Sequence, residues 1–138
     1  KAPDGRFYIA DVRRIQGTPA DVERLLTTTA SQDGSEVRGS LPQDPGQAGK
    51  SQAQYLIRQL AGFIYTASPE SGDKETRASP LAAQAEAGNL MLVRGEWNQA
   101  FLDEISTFPR GKFKDQVDAA SRAFAELLTG SNYTLANI

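Results

Sequence analysis

The residues best suited to chemistry lie in one segment near the carboxyl end, residues 111–124, which reads as an amphipathic helix. Its apolar stripe consists of Val117, Ala120, Phe124, Leu127 and Leu128. Asp115, Asp118 and Arg122 share a second stripe at i, i+3 and i+7, which we expect to point away from the core. The two carboxylates have two explanations. They compensate the helix dipole, or they bind a hard divalent cation, which takes oxygen ligands.

The composition narrows the chemistry that the chain can perform. It has 138 residues and contains neither histidine nor cysteine. This excludes histidine-dependent triads, histidine-ligated zinc, thiolate metal sites and disulfides, and leaves carboxylates as the strong metal ligands and general bases. With 15 basic and 17 acidic residues, the net charge of -2 gives no overall attraction to nucleic acid. Any contact with DNA must therefore be local.

A second candidate site, residues 44–51 (DPGQAGKS), ends like a phosphate-binding P-loop. Asp44 stands where that loop needs glycine, and Pro45 lacks one of the amide donors that would hold phosphate. An alternative uses Asp44 as a metal ligand opposite the acids of the final helix. Acidic nuclease sites hold two Mg²⁺ or Mn²⁺ ions about 3.5–4 Å apart in this way. Lys50 then either contacts a phosphate group or is a solvated helix residue.

Strands and helices alternate along the chain, which predicts an α/β layer architecture. The predicted strands are residues 6–14, 36–41, 63–67 and 89–93. The predicted helices are one that opens at Thr18 and stops near Gly34, and those over residues 48–60, 74–87 and 98–108. Pro80 predicts a kink or a fresh start in the third of these helices, and Asn98 is expected to cap the fourth.

The length suits one domain, which we place at residues 1–130, followed by a flexible tail at residues 131–138. No apolar stretch approaches the roughly 20 residues that cross a bilayer, and no secretory signal is visible. The expected protein is therefore soluble and intracellular. Because the chain starts at Lys1 without an initiating methionine and reaches a strand almost at once, we expect it to be a piece of a longer protein.

Several blocks of the sequence together resemble one family. They are LPQDPGQAGK (41–50), SGDKETRA (71–78), GNLMLVRGEWN (88–98), FPRG (108–111) and DQVDA (115–119). The chain resembles the C-terminal nuclease domain of the large terminase subunit of tailed bacteriophages and prophages. The blocks occur in the family's order, and the resemblance covers residues 6–128. Each block alone is weak, whereas the series is specific.

The resemblance implies an RNase H-like fold with acidic residues that bind two divalent metal ions. The family's first catalytic aspartate lies on its first strand, and this chain starts at the third, so the resemblance implies that this residue is absent. The second carboxylate position holds Pro42, and Asp44 is the nearest acid. The third belongs to an aspartate doublet at the start of the last helix, where Lys114 and Asp115 stand.

Other matched positions have more modest implied roles. Asp11 matches an acid on a later strand of the family, and a structural role is expected for it. Trp97, the single tryptophan, is expected to pack under the final helices. Lys74 and Arg77, at i and i+3, either clamp one phosphate group or are solvated surface residues.

The implied fold is α/β, an RNase H-like mixed sheet flanked by helices and missing its first strands in this chain. The implied activity is that of a divalent-metal-dependent endodeoxyribonuclease that cleaves concatemeric DNA during head packaging. The expected catalytic residues and metal ligands are Asp115, Asp44 and Asp118. The expected contacts with DNA are Lys50, Lys74 and Arg77.

The expected partners are double-stranded DNA and, by resemblance, other terminase and portal proteins, in the cytoplasm of a bacterial host and away from membranes. Exposed sheet edges are compatible with an oligomer. Since the first aspartate is missing and Lys114 replaces an acid, we expect this piece to be inactive or weakly active. One rival interpretation is a non-catalytic prophage remnant that binds DNA or protein with the same fold. Another is a small nucleotide-binding protein built on residues 46–51.

Overall fold

The computed structural model describes residues 1–130, so the predicted tail at residues 131–138 lies outside the described residues. The elements in chain order are β1 (Phe7–Ile9), α1 (Pro19–Asp33), β2 (Arg38–Gln43), α2 (Gly46–Gln59), β3 (Ile64–Pro69), α3 (Lys74–Glu86), β4 (Leu90–Leu92), α4 (Asn98–Thr107) and α5 (Asp115–Gly130). They confirm the predicted alternation of strands and helices. No helix of this described part is long and apolar enough to cross a membrane.

The elements fall into two compact units. Unit 1 consists, among the described residues, of residues 1–14 and 72–130, and holds β1, α3, β4, α4 and α5. Unit 2 consists of residues 15–71 and holds α1, β2, α2 and β3. Each unit contains one parallel pair of strands.

Unit 1 is built around the short parallel pair of β1 and β4, which aligns Phe7 with Leu90. Phe7 is buried beside Leu81 of α3 and Phe124 of α5. The rings of Phe7 and Phe124 meet edge to face, with their centroids 4.8 Å apart. Aromatic pairs of this geometry contribute about 0.5–1.5 kcal/mol beyond the burial of their area. The core therefore fixes α3 and α5 against the same strand pair.

Unit 2 has a longer parallel ladder, in which β2 and β3 pair from Arg38 with Ile64 to Gln43 with Pro69. Helix α2 connects the two strands, as a parallel pair requires a crossover. Helix α1 begins with the predicted cap. The Thr18 hydroxyl accepts from the amide of Asp21, and the Asp21 carboxylate accepts from the amide of Thr18. This reciprocal pair satisfies two amides at the helix start.

The strands depart from the predicted single mixed sheet. Among the described residues they form two separate parallel pairs, β1 with β4 and β2 with β3, and the chain from α1 to α3 lies in sequence between the two strands of the first pair. Strand β1 ends at Ile9, well short of the predicted residue 14. Asp11 therefore lies beyond the strand, where its carboxylate accepts from Nε of Arg13 at 2.9 Å.

The alternative of a fresh helix start near Pro80 is excluded, and the prediction that Asn98 caps α4 was wrong. Helix α3 runs without a break through Pro80. The missing amide of Pro80 leaves the carbonyl of Thr76 without its helical partner, but both residues are exposed, so water can satisfy that carbonyl. Asn98 does not cap α4, since it is already the first helical residue. Its side chain accepts from the amide of Gly95 at 2.8 Å and donates to the carbonyl of Val93 at 3.0 Å.

The final helix starts at Asp115 rather than at residue 111. Before it, the amide of Gly111 donates to the carbonyl of Thr107 at 2.7 Å, which turns the chain after α4. The predicted packing of Trp97 is confirmed in part. Its ring meets Phe101 of α4 edge to face at 5.7 Å.

Candidate active site at the start of helix α5

The acids of the first turn of α5 have different environments. The side chain of Asp115 is 91% exposed, whereas that of Asp118 is 13% exposed. Val117 and Phe124, on the opposite stripe of the helix, are buried. The predicted apolar stripe is therefore confirmed in part, because Leu127 and Leu128, which were placed on it, are exposed. Asp118, which was expected to point away from the core, faces the neighbouring helix α3, while Asp115 reaches solvent.

Two cations of α3 meet these acids. Nζ of Lys74 lies 3.0 Å from Oδ1 of Asp115 and 3.5 Å from Oδ2 of Asp118. Arg77 binds Asp118 through both carboxylate oxygens, with Nη2 at 2.9 Å from Oδ1 and 3.0 Å from Oδ2, and its Nε donates to Oδ1 at 3.1 Å. Forked contacts of this kind are stronger and more directional than a contact with a lysine ammonium group.

The hydrogen bond to Asp115 raises the pKa of Lys74 above its ordinary value, and burial acts against this shift. The pair is nevertheless open to water, because the ammonium group meets a carboxylate that is almost fully exposed. Exposed ion pairs contribute little to stability, about 0–1 kcal/mol. The contact between Lys74 and Asp115 is thus the weaker of the two, and the contact between Arg77 and Asp118 the stronger.

The start of α3 is fixed by its own cap. Oδ1 of Asp73 accepts from the amide of Thr76 at 2.7 Å, and this hydrogen bond holds the pKa of Asp73 below its ordinary value. Gly72, with φ of +71°, takes the left-handed conformation just before the cap. Its carbonyl accepts from Nη1 of Arg77 at 2.7 Å. The loop and cap therefore place Lys74 and Arg77 on the turn of α3 that faces α5.

Sequence reasoning missed Glu104, which is 5% exposed and lies on α4. Its Oε1 accepts from the amide of Val117 at 2.9 Å, and its Oε2 accepts from Nε2 of Gln116 at 2.8 Å. A carboxylate from α4 thus caps the first turn of α5. The signal in the sequence was a charged residue three positions after Phe101, and so on the same side of the helix as that buried ring.

The residues of unit 1 fit a divalent cation only in part. Within residues 1–130 no group of three or more acidic side chains is arranged to hold a metal ion. Asp115 offers an exposed carboxylate, whereas both oxygens of Asp118 accept hydrogen bonds from Arg77. Mg²⁺ is commonly held by one or two carboxylates together with water and substrate phosphates. One open carboxylate suits such an ion when substrate completes the coordination, and does not form a closed protein site.

The remaining predicted site residues belong to unit 2. Asp44 is exposed and lies between the end of β2 and the start of α2. Lys50 is exposed on the second turn of α2. The prediction that Asp44 is a metal ligand and the prediction that Lys50 contacts DNA both remain predictions.

The P-loop interpretation of residues 44–51 does not fit the structure. A phosphate-binding loop presents successive amides to the ligand, but α2 already begins at Gly46. Gly49 is buried, and a Cβ on it would overlap the backbone carbonyl of Asp44. Glycine at this position therefore permits close packing of the chain against the first turn of α2.

The similarity of the chain to known proteins agrees with the fold. No curated protein and no solved structure gives a significant match. A family model described as the terminase RNaseH-like domain matches residues 1–127, which include α3, α4 and all but the last three residues of α5. Since this match covers nearly the whole chain, and the resemblance in the ordered blocks is confirmed by it, the chain belongs to the family of terminase RNase H-like domains.

Proposed function

We propose that this domain is the nuclease module of a terminase large subunit of the phage type, which hydrolyses phosphodiester bonds of double-stranded DNA with Mg²⁺ or Mn²⁺. The observation that supports the proposal most directly is the exposed carboxylate of Asp115 at the start of α5, inside the region that matches the family. A divalent ion at such a site supplies a Lewis acid and an activated water for phosphodiester hydrolysis.

The chain's own residues have distinct roles in this proposal. Asp115 provides the accessible carboxylate. Lys74, at 3.0 Å, balances its charge while no metal ion is bound. Asp118 lies in the same turn of α5 as Asp115 and is bound by Arg77, so it orients the start of α5. Asp118 is a second metal ligand only if its carboxylate leaves Arg77. Asp44, on unit 2, is proposed as a further ligand on the basis of its place in the sequence blocks.

The biological substrate and partners are proposed from the resemblance to the terminase family. We propose that the domain cleaves concatemeric phage DNA during head packaging, in the cytoplasm of a bacterial host, together with other terminase and portal proteins. The family name itself supports this assignment.

The test is a Mn²⁺ titration by calorimetry, followed by a plasmid-nicking assay on the same samples. We expect binding by the wild-type chain and its loss in Asp115→Asn. Asp103→Asn is the matched control, because Asp103 is an exposed carboxylate of the same unit on α4. Asp44→Asn and Asp118→Asn then test the two further proposed ligands. Equal binding by the wild type and Asp115→Asn would refute the proposed metal site.

A second candidate function is a non-catalytic module that keeps the fold and binds DNA or a partner protein. The observation that favours it is that cations of α3 already neutralise the two acids of α5. The two functions differ in their response to metal. Mn²⁺ should raise the melting temperature of a nuclease module, but it should leave that of a non-catalytic module unchanged. Absence of any Mn²⁺ effect on wild-type melting and nicking would favour the second function.

A further inference from the structure

The loop between α4 and α5, residues 108–114, carries three basic residues at alternate positions, Arg110, Lys112 and Lys114. A fourth cation, Arg14, reaches the same loop from the segment after β1. Its guanidinium carbon lies 4.3 Å from the centroid of the Phe113 ring, and Nζ of Lys112 lies 5.3 Å from that centroid. We call Arg14, Lys112 and Phe113 the Phe113 patch.

The ion pairs in the described part of the chain include none of the basic residues of this loop. Neither Arg14 nor Lys112 forms an ion pair with a described acid, in contrast to Lys74 and Arg77. The contact of each cation with the ring is only modestly favourable at an exposed site. Two like charges that converge on one aromatic ring raise the local positive potential, so the patch should attract an anion.

The shape of the surface suits a group larger than a single small ion. Arg14, Lys112 and Phe113 line a pocket of about 430 Å³ together with Thr107 and Gly111. Phe113 is 41% exposed, so its ring is available to a ligand at the edge of the pocket.

Two acids also line this pocket, and both have other partners. The carboxylate of Asp103 accepts from Nε2 of Gln99 at 2.8 Å. That of Glu104 is buried and caps α5 through Val117 and Gln116. Neither acid forms an ion pair with Arg14 or Lys112 among the described residues.

We propose that the Phe113 patch binds the phosphate backbone of double-stranded DNA. The proposal deepens the proposed nuclease function and rests on it for the identity of the ligand. Several cations along one loop suit a polyanion, which carries regularly spaced phosphates, better than a single free anion. Lys114 directly precedes Asp115, so a strand bound along this loop lies next to the start of α5. The proposal adds to the DNA contacts predicted from the sequence, since Lys74 and Arg77 bind acids of α5.

The test measures binding of a short fluorescently labelled duplex by anisotropy, in EDTA, over a series of salt concentrations. The variant is Arg14→Ala/Lys112→Ala. The matched control is Arg58→Ala/Arg94→Ala, which removes the same charge from exposed residues outside the patch. Because Arg14 and Lys112 are both exposed, the variant should fold, which its circular dichroism verifies. Lys112→Arg keeps the charge and should keep binding.

We expect the double variant to lose about two phosphate contacts. The slope of the logarithm of the binding constant against the logarithm of the salt concentration should then become shallower by about 1.8. At about 0.1 M salt this corresponds to a loss of affinity of about 10- to 100-fold. The control should retain both the salt dependence and the affinity of the wild type. Wild-type affinity in the double variant, or an equal loss in the control, would overturn the proposal, as would a wild-type chain that binds no duplex.

Inorganic phosphate distinguishes a free-anion site from a DNA surface. At matched ionic strength it should compete no better than chloride for a surface that binds the polyanion. Displacement of the duplex by dilute phosphate would assign the patch to a free anion and overturn the proposal.

Plasmid nicking with Mn²⁺ on the same samples separates this inference from the nuclease function. Nicking by the wild type, together with undiminished duplex binding in the double variant, would refute the patch and leave the nuclease function standing. Duplex binding that depends on the patch, together with no nicking and no Mn²⁺ binding by the wild type, would refute the nuclease function and support the patch.

Discussion

Glu104 should be the residue of α4 on which the start of α5 depends most. It is 5% exposed and accepts two hydrogen bonds, from the amide of Val117 at 2.9 Å and from Nε2 of Gln116 at 2.8 Å. Glu104→Ala leaves both donors without this acceptor and removes a negative charge from the amino end of a helix. Hydrogen bonds to charged groups contribute about 1.5–3 kcal/mol, and an unsatisfied buried donor costs about 1–3 kcal/mol.

These terms describe the same two contacts and overlap, so we expect Glu104→Ala to lower the free energy of unfolding by about 3–4 kcal/mol. Glu104→Gln keeps an acceptor for Val117 but turns an amide group toward Gln116. It should therefore lose the contact with Gln116 and the negative charge, and lower the free energy of unfolding by about 1–2 kcal/mol. At about 3–5 °C per kcal/mol for a domain of this size, Glu104→Ala should melt roughly 10–15 °C below the wild type.

The assay is urea unfolding followed by tryptophan fluorescence, because Trp97 is the single tryptophan and packs on Phe101 of α4. Asp103→Ala is the control, an exposed acid one position away, which should change stability by less than about 0.5 kcal/mol. Hydrogen exchange of the Val117 amide should accelerate in Glu104→Ala. If Glu104→Ala is no less stable than Asp103→Ala, or if the glutamine and alanine variants are equally unstable, the capping argument is wrong.

Three further predictions concern contacts within unit 1 or within unit 2. A double-mutant cycle of Arg77→Ala and Asp118→Asn should give a coupling of about 1–3 kcal/mol in urea unfolding, because the contact is forked and partly buried. Gly49→Ala should destabilise the chain by about 1–3 kcal/mol in thermal melts, since its Cβ meets the backbone of Asp44. Asp73→Ala should be less stable than the wild type at neutral pH, and this difference should vanish in acid. The folded pKa of Asp73 is lowered, so its contribution is present above the unfolded pKa and is lost as pH falls through the folded pKa.

Each of these predictions has a contrary result. A cycle of Lys74→Ala with Asp115→Asn should couple by less than about 0.5 kcal/mol, and a coupling as large as that of the Arg77 pair would reverse the ranking of the two contacts. Wild-type stability of Gly49→Ala would mean that the backbone of Asp44 can move away. A stability difference for Asp73→Ala that is the same at neutral and acid pH would exclude its carboxylate as the cause.

The features that the sequence predicted correctly depend on neighbouring residues. The cap of α1 at Thr18 is readable because the residue that completes it, Asp21, lies three positions away. The alternation of strands and helices is likewise predicted from local patterns of neighbouring residues. The sequence left open whether the helix continues through Pro80, because the cost of a proline depends on whether water reaches the freed carbonyl, and that is decided by the exposure of the residues around it.

The candidate site depends on contacts between residues that are far apart in the sequence, which local patterns do not predict. Lys74, Arg77, Asp115 and Asp118 were all selected from the sequence, but as cations for phosphate and acids for metal. Their pairing joins residues 41 positions apart, which only the packing of α3 on α5 brings together. Glu104 was missed because its partners lie 12 and 13 positions away, beyond the reach of any local capping pattern.

Asp115 and Asp118 are consequently not equivalent, although the sequence presents them as a pair. The carboxylate of Asp115 is 91% exposed and meets an ammonium group, which is a contact that water and ions can replace at little cost. That of Asp118 is 13% exposed and accepts the forked hydrogen bonds of the Arg77 guanidinium, so asparagine at this position removes one charge of a partly buried ion pair. Asparagine at residue 115 should therefore leave the stability nearly unchanged, whereas asparagine at residue 118 should lower it. If the proposed nuclease function holds, loss of metal binding in Asp115→Asn then indicates the loss of a ligand. Loss of metal binding in Asp118→Asn indicates this only under conditions in which that variant is as fully folded as the wild type.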